Sequence, residues 1–164
     1  MEFCSSIGIE CVGIAPPGPY HELEKIWRKR LEQGHFTGFE EMDVSKRIDP
    51  RLTLEEARSV IVCLFPYFTG HKPGANLSKS AFSIDYHIIV KSKLEQIGFF
   101  LGSHIDNFKY KAFVDNGPLA DRYMAYLAGL GYFGINGHII TDKYGSYVFI
   151  GYIINNYPFP QDEP

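Results

Sequence analysis

Residues 59–67, SVIVCLFPY, constrain the fold of this chain more than any other stretch. The run is almost continuously apolar and rich in β-branched residues, and Pro66 marks its end. Such a run reads as a strand buried on both faces, which places it at the centre of a sheet. The covering layers are also legible. Residues 20–33 form a helix with an apolar stripe of Leu23, Ile26, Trp27 and Leu31, and Gly34 stops it. Residues 84–102 form a second, with Ile88, Leu94, Ile97 and Leu101 apolar. A shorter helix is expected over 54–58. Further strands are expected over 11–14, 108–114, 137–141 and 146–153. The alternation predicts an α+β sandwich: a central mixed sheet flanked by helices, in a chain long enough for one domain.

Composition excludes several classes. At 45% hydrophobic and 21% charged, this is the make-up of an ordinary globular protein. A net charge of −3 argues against a domain that holds nucleic acid mainly by net electrostatics, although Trp27-Arg28-Lys29-Arg30 is locally basic. No run approaches the ~18 apolar residues of a membrane span, so a cytoplasmic location without membrane contact is expected. Cys4, Cys11 and Cys63 are odd in number and widely spaced. They read as reduced thiols, and the scattered histidines offer no protein-built metal site. Residues 69–79, polar with glycine and proline, are the expected mobile loop. Residues 1–156 form the expected domain, and the proline-spaced peptide 157–164 reads as a linker.

Chemistry concentrates in residues 113–151. A short apolar segment delivers Asp115 to a turn made by Asn116-Gly117-Pro118, a helical pattern follows, and glycines 129, 131, 134 and 137 end it. Gly129 to Gly134 spell a literal GxGxxG, but the motif follows a helix rather than a first strand, so the dinucleotide reading lacks its context. Asp115 reads either as a general acid or as an N-cap or turn aspartate. Arg122 reads as an anion or carboxylate partner or as a solvated charge. Asp85 and His87 open the long helix, where a carboxylate suits the helix dipole and the histidine could move a proton.

Several spaced segments together resemble the epoxyqueuosine reductase family. They are Val114-Asp115-Asn116-Gly117-Pro118-Leu119, then Asp121-Arg122, then residues 128–136 (AGLGYFGIN), then Tyr144-Gly145-Ser146. Upstream, Arg47-Ile48-Asp49-Pro50-Arg51, Ala57-Arg58-Ser59-Val60-Ile61 and Asp85-Tyr86-His87 are similar to the family's blocks in the same order. The resemblance implies a nitroreductase-like, cobalamin-binding domain related to that of reductive dehalogenases. It also implies reduction of epoxyqueuosine to queuosine in tRNA, with cobalamin and two 4Fe-4S clusters. It puts the proton-donating aspartate at Asp115 and nearby pocket residues at Asp85, His87 and Arg122. The glycine-rich return would line the corrin through Gly134, Asn136, Gly137 and Ser146. Where the family commonly has lysine this chain has Ile135, and Ile84 stands in place of a usual arginine. The cluster-binding cysteine run is expected beyond residue 164, so electrons would arrive from an iron–sulfur domain outside this chain. The alternative is a docking or electron-transfer module that binds no cobalamin.

Overall fold

The computed structural model describes residues 2–164 except 69, 71–73, 75, 77 and 83. In chain order the elements are α1 (Glu2–Ser6), β1 (Cys11–Ala15), α2 (His21–Glu32), α3 (Val44–Ile48), β2 (Ser59–Pro66), α4 (Tyr86–Gly102), β3 (Tyr110–Val114), α5 (Asp121–Leu127), β4 (Tyr132–Phe133), β5 (Ile139–Ile140) and β6 (Val148–Asn155). Short 3-10 turns occupy Pro50–Leu52 and Lys79–Phe82. The expected loop over 69–79 falls largely outside the described residues.

β2 is a central strand, and its alternation shows why its sequence is apolar throughout. Val60, Val62 and Leu64 point to one core, with Leu23, Trp27, Leu119, Met124 and Tyr152. Ile61 and Cys63 point to the other, with Cys4, Ile9, Val90, Leu94 and Ile97. Helices α2, α3 and α5 therefore cover one face, and α1 and α4 the other. With successive side chains facing opposite ways, residues 60–64 meet apolar cores on both faces, and the one polar residue of the strand, Ser59 at its start, is buried with a partner: its hydroxyl donates to Asn155 Oδ1 at 3.2 Å.

The α+β architecture with a helix-flanked sheet is as expected, but the sheet itself is not mixed. Its order is β1-β2-β6-β3, and all three pairings are antiparallel. The reason lies in the last strand. β2 and β3 run in the same direction, joined by α4, as the alternation of elements suggested. β6 then inserts between them and pairs antiparallel with each, so the two parallel strands never touch. α4 lies close over β6 because residue 151 is glycine: a Cβ there would stand 2.7 Å from Val90 Cγ1 and 2.9 Å from Leu94 Cδ1.

Three local expectations are corrected. Residues 54–58 form turns rather than a helix. Asp49 accepts from Arg51 N and Pro50 opens a 3-10 turn, which uses up the local capping groups before Leu54. Ile26, placed in the buried stripe of α2, is exposed, whereas Leu23 and Trp27 are buried. Ile88 on α4 is also exposed. Both helices bury a narrower face than their apolar residues could cover.

The peptide 157–164, expected as a linker, lies against the domain. Phe159 packs on the α4-side core. Asp162 and Ile14 exchange two bonds: Ile14 N donates to Asp162 Oδ2 at 2.8 Å, and Asp162 N donates to Ile14 O at 3.0 Å. Among the described residues no helix is long and apolar enough to cross a membrane.

Candidate active site

β3 ends at Val114, and the next residue has a backbone that L-amino acids rarely adopt. Asp115 has φ +59°, and Asn116 N donates to Val114 O at 2.7 Å. A three-residue turn with positive φ at its centre is the classical γ-turn, which is rare and strained. Of the structural roles open to Asp115, capping is excluded. It is a turn aspartate and caps no helix, since α5 begins after Ala120 and has no side-chain cap. The turn is held from behind. Leu119 N donates to the buried Tyr152 Oη at 3.0 Å, and Gly117 lies so close that a Cβ would stand 2.0 Å from that oxygen.

Asp115 meets two other residues singled out from the sequence. His87 Nε2 is 3.4 Å from Asp115 Oδ2, and His87 Nδ1 is 2.7 Å from Asp85 Oδ1. Asp85 also caps α4 by accepting from His87 N at 2.9 Å, so its capping and pairing roles coexist. The hydrogen bond to Asp85, helped by Asp115, raises the His87 pKa above the ordinary imidazole value, and the same bond lowers that of Asp85. Tyr86, stacked on Phe149 with ring centroids 3.8 Å apart, completes the group. Burial first, then the charge of Asp115, push its phenol up to about 12.

Asp115 also stands at the edge of an open cleft of about 1350 Å³ between α2–α3 and the Asp115–α5 segment. Arg122 and Gly137 line it, and Arg122 Nη1 donates to Gly137 O at 2.8 Å, tying α5 to the β4–β5 hairpin. Arg122 thus binds a backbone carbonyl rather than a carboxylate. Of the four residues expected to face a corrin, Gly137 alone lines this cleft. Gly134 and Asn136 shape the hairpin loop, where Gly137 N donates to Gly134 O and His138 N to Asn136 Oδ1. Ser146 lies in the turn before β6, outside the cleft. Gly129 is explained by the helix end. It has φ +65° just past α5, with Gly129 N donating to Tyr126 O and Leu130 N to Ala125 O, the Schellman arrangement. The GxGxxG run is a helix stop followed by a hairpin.

Two cleft residues were not picked out as site residues by their sequence. Arg47, only 9% exposed, lays its guanidinium over the Trp27 ring at 4.2 Å. Asp121, the first residue of α5, is largely buried. Burial, together with the nearby charge of Asp115, raises its pKa to about 7 against the pull of Arg47. Their signal was present, since both sit inside the quoted family blocks, but a charged residue next to a turn gives no sign of burial in a sequence. Among the described residues no group of three or more His, Cys, Asp or Glu could hold a metal ion. Cys4 and Cys63 are buried and Cys11 half-buried, all as free thiols.

A strained acidic turn backed by a His–Asp pair thus stands at the mouth of a large aromatic-lined cleft. Residues 47–116 match the family described as epoxyqueuosine reductase QueG, DUF1730. The chain is 34% identical over its whole length to the epoxyqueuosine reductase of Bacillus anthracis, of which it spans 46%. Among solved structures, a selenomethionine-labelled epoxyqueuosine reductase superposes with a TM-score of 0.93 at 32% identity, over 99% of this chain and 46% of that one. An epoxyqueuosine reductase bound to an epoxyqueuosine-modified tRNA-Tyr stem-loop gives 0.92 at 32% identity, with the same coverage. Residues 47–116 thus carry the epoxyqueuosine reductase family's domain, and the chain as a whole, similar to these enzymes throughout, spans about half the length of the curated relatives it matches.

Proposed function

We propose that this chain is the substrate- and cobalamin-binding part of a reductase that converts epoxyqueuosine in tRNA to queuosine, with Asp115 as the proton donor. The observation that carries the reading is the Asp85–His87–Asp115 chain of contacts ending on a strained turn at the cleft. Removing the epoxide oxygen breaks two C–O bonds, consumes two electrons and two protons, and releases water. Asp115, about half exposed, gives a proton to the departing oxygen. His87, made more basic than usual by Asp85, restores it. Acid catalysis of this kind contributes roughly 10²–10⁴-fold. Backbone strain at the turn fits a group held ready for one task.

The residues present suit a large planar cofactor. The cleft exceeds the ~300–1,000 Å³ of ordinary small-molecule sites and is walled by Trp27, Phe39, Tyr126 and Phe133. Cobalamin, when bound, would supply the low-potential electron chemistry that side chains lack. Phe133 and Gly137 would face it from the hairpin, while Arg122 fixes the hairpin's position. The 4Fe-4S clusters that would feed the reaction, and with them the electron donor, are assigned to residues outside this chain.

A second reading, a docking or electron-transfer module without cobalamin, is favoured by one observation: Gly134, Asn136 and Ser146 stand outside the cleft, and Ile135 is fully exposed at the hairpin tip. One titration separates the two. Base-off cobalamin added to the purified chain should shift its corrin absorbance and remain with the protein through gel filtration. No spectral change and no retained corrin at concentrations well above micromolar would establish the module.

A further inference from the structure

The relay at Asp115 leaves the deep wall of the cleft unexplained. There, Arg47 and Asp121 each bury a polar atom, Nε and Oδ1, that finds no partner. Among the described residues neither side chain hydrogen-bonds to another residue, and no contact within 4 Å joins them as an ion pair. A guanidinium carries five N–H donors, and one that is nine-tenths buried with none of them bonded is costly unless something else accepts from it. Nε is sealed off, so the donors left open to the cleft are on the Nη atoms. Likewise Oδ1 of Asp121 is sealed and Oδ2 is its reachable oxygen. The cleft wall therefore offers a fixed donor fork beside an acceptor, framed by the Trp27, Phe39 and Tyr126 rings.

We infer that Arg47 and Asp121 form a subsite for a cyclic amide edge, a carbonyl oxygen beside N–H, and that its occupant is the Watson–Crick edge of a guanine-type base. Arg47 donates to the carbonyl oxygen at position 6, and Asp121 accepts from the adjoining ring N–H and exocyclic amine. The neighbouring rings supply stacking, the way an unpaired base is held by proteins that act on it. A simple anion fits less well. It would gain from Arg47 but meet Asp121 and Asp115 on the same wall. An adenine-type edge presents donor and acceptor in reversed order and would set its amine against the guanidinium. The inference rests on the tRNA reading above, because the 7-deazaguanine core of epoxyqueuosine carries this edge.

Trp27 is the single tryptophan of the chain and lies under Arg47, so its fluorescence reports occupancy directly. Titration with 7-deazaguanosine and with 7-deazaadenosine should show at least a tenfold preference for the former, since sites that hydrogen-bond an edge reject its analogue. Arg47→Met and Asp121→Leu should each remove that preference without weakening 7-deazaadenosine, and Arg47→Lys, which keeps charge but not the fork, should fall between. The preference in the unaltered protein is itself a test, so it survives a variant that fails to fold. Equal binding of the two nucleosides, or an undiminished preference in folded Arg47→Met, would overturn the subsite. A queuosine-bearing anticodon stem-loop separates the layers. If the stem-loop binds with an affinity indifferent to both variants, the subsite alone is wrong. If neither stem-loop nor nucleoside binds, the tRNA reading falls with it.

Discussion

Replacing Gly117 by alanine tests whether the turn bearing Asp115 is set by its backing rather than by its own sequence. The new Cβ would stand 2.0 Å from Tyr152 Oη, 2.7 Å from Tyr152 Cζ and 2.8 Å from Phe113 Cβ. None of these can yield cheaply. Tyr152 is fully buried in the main core, packed against the Phe113 ring at 5.4 Å, and Phe113 belongs to the strand that delivers Asp115. Overpacking of this kind costs about 1–3 kcal/mol, and displacing the tyrosine hydroxyl also breaks the bond from Leu119 N, worth about 1 kcal/mol. For a chain of this size each kcal/mol lowers the melting temperature by roughly 2–4 °C. Thermal melting by circular dichroism should therefore show a drop of about 4–16 °C. Tyr152→Phe alone leaves Leu119 N unpaired and should also destabilise. Combined with Gly117→Ala it removes the closest clash, so the double variant should be more stable than the two single losses predict by addition. A Gly117→Ala protein melting within about 1 °C of the unaltered chain, or strict additivity in the double, would refute the clamp.

Four further outcomes are expected. Asp121 holds its proton to about pH 7 in the folded state but to about pH 4 unfolded, so raising pH through that window removes stability, up to about 4 kcal/mol; Asp121→Asn should flatten the dependence of melting temperature on pH between 4 and 7. His87 should titrate above pH 6.5 by NMR, and Asp85→Asn, which removes the largest cause, should bring its midpoint down. Because the raised pKa belongs to the folded state, the stability this ion pair lends is lost as pH rises through the folded His87 pKa, and it is lost again at acid pH where Asp85 takes up its proton. Arg122→Met should speed amide exchange at Gly134–Gly137 without altering that of β2, since one bond ties the hairpin to α5. Gly151→Leu should fail to fold stably, because α4 sits where the side chain would go.

The readable parts of the sequence were those where one local signal decides the outcome. The continuous apolar run of β2 required both faces to be covered, and two cores duly cover them. Asp85 before Tyr86 read as a helix start and caps one. What escaped depended on partners distant in sequence. β6 slots between β2 and β3 through pairings about ninety residues apart for Val62 with Tyr152, and no local pattern encodes that. Ile26 looked like core because its helical phase allowed it, yet it lines a cleft. The burial of Arg47 and Asp121 arises where α3, α5 and Trp27 converge, so their chemistry was invisible until the chain was folded.

Asp115 and Asp121 together show how the cleft can hold two carboxyl groups for different tasks. They belong to one short segment and repel each other, and burial raises the pKa of Asp121. Asp121 sits behind the helix start beside Arg47, where desolvation outweighs the guanidinium. Asp115 projects on a strained turn, about half exposed and within reach of a basic histidine. Under the proposed function the division is spatial: the exposed carboxyl faces the place where a reacting group would stand, and the buried one faces the wall that would hold the rest of it. Under that reading the strain at Asp115 belongs to the reacting end of the cleft. A site arranged only to move protons would have no use for an unbonded guanidinium nine-tenths buried.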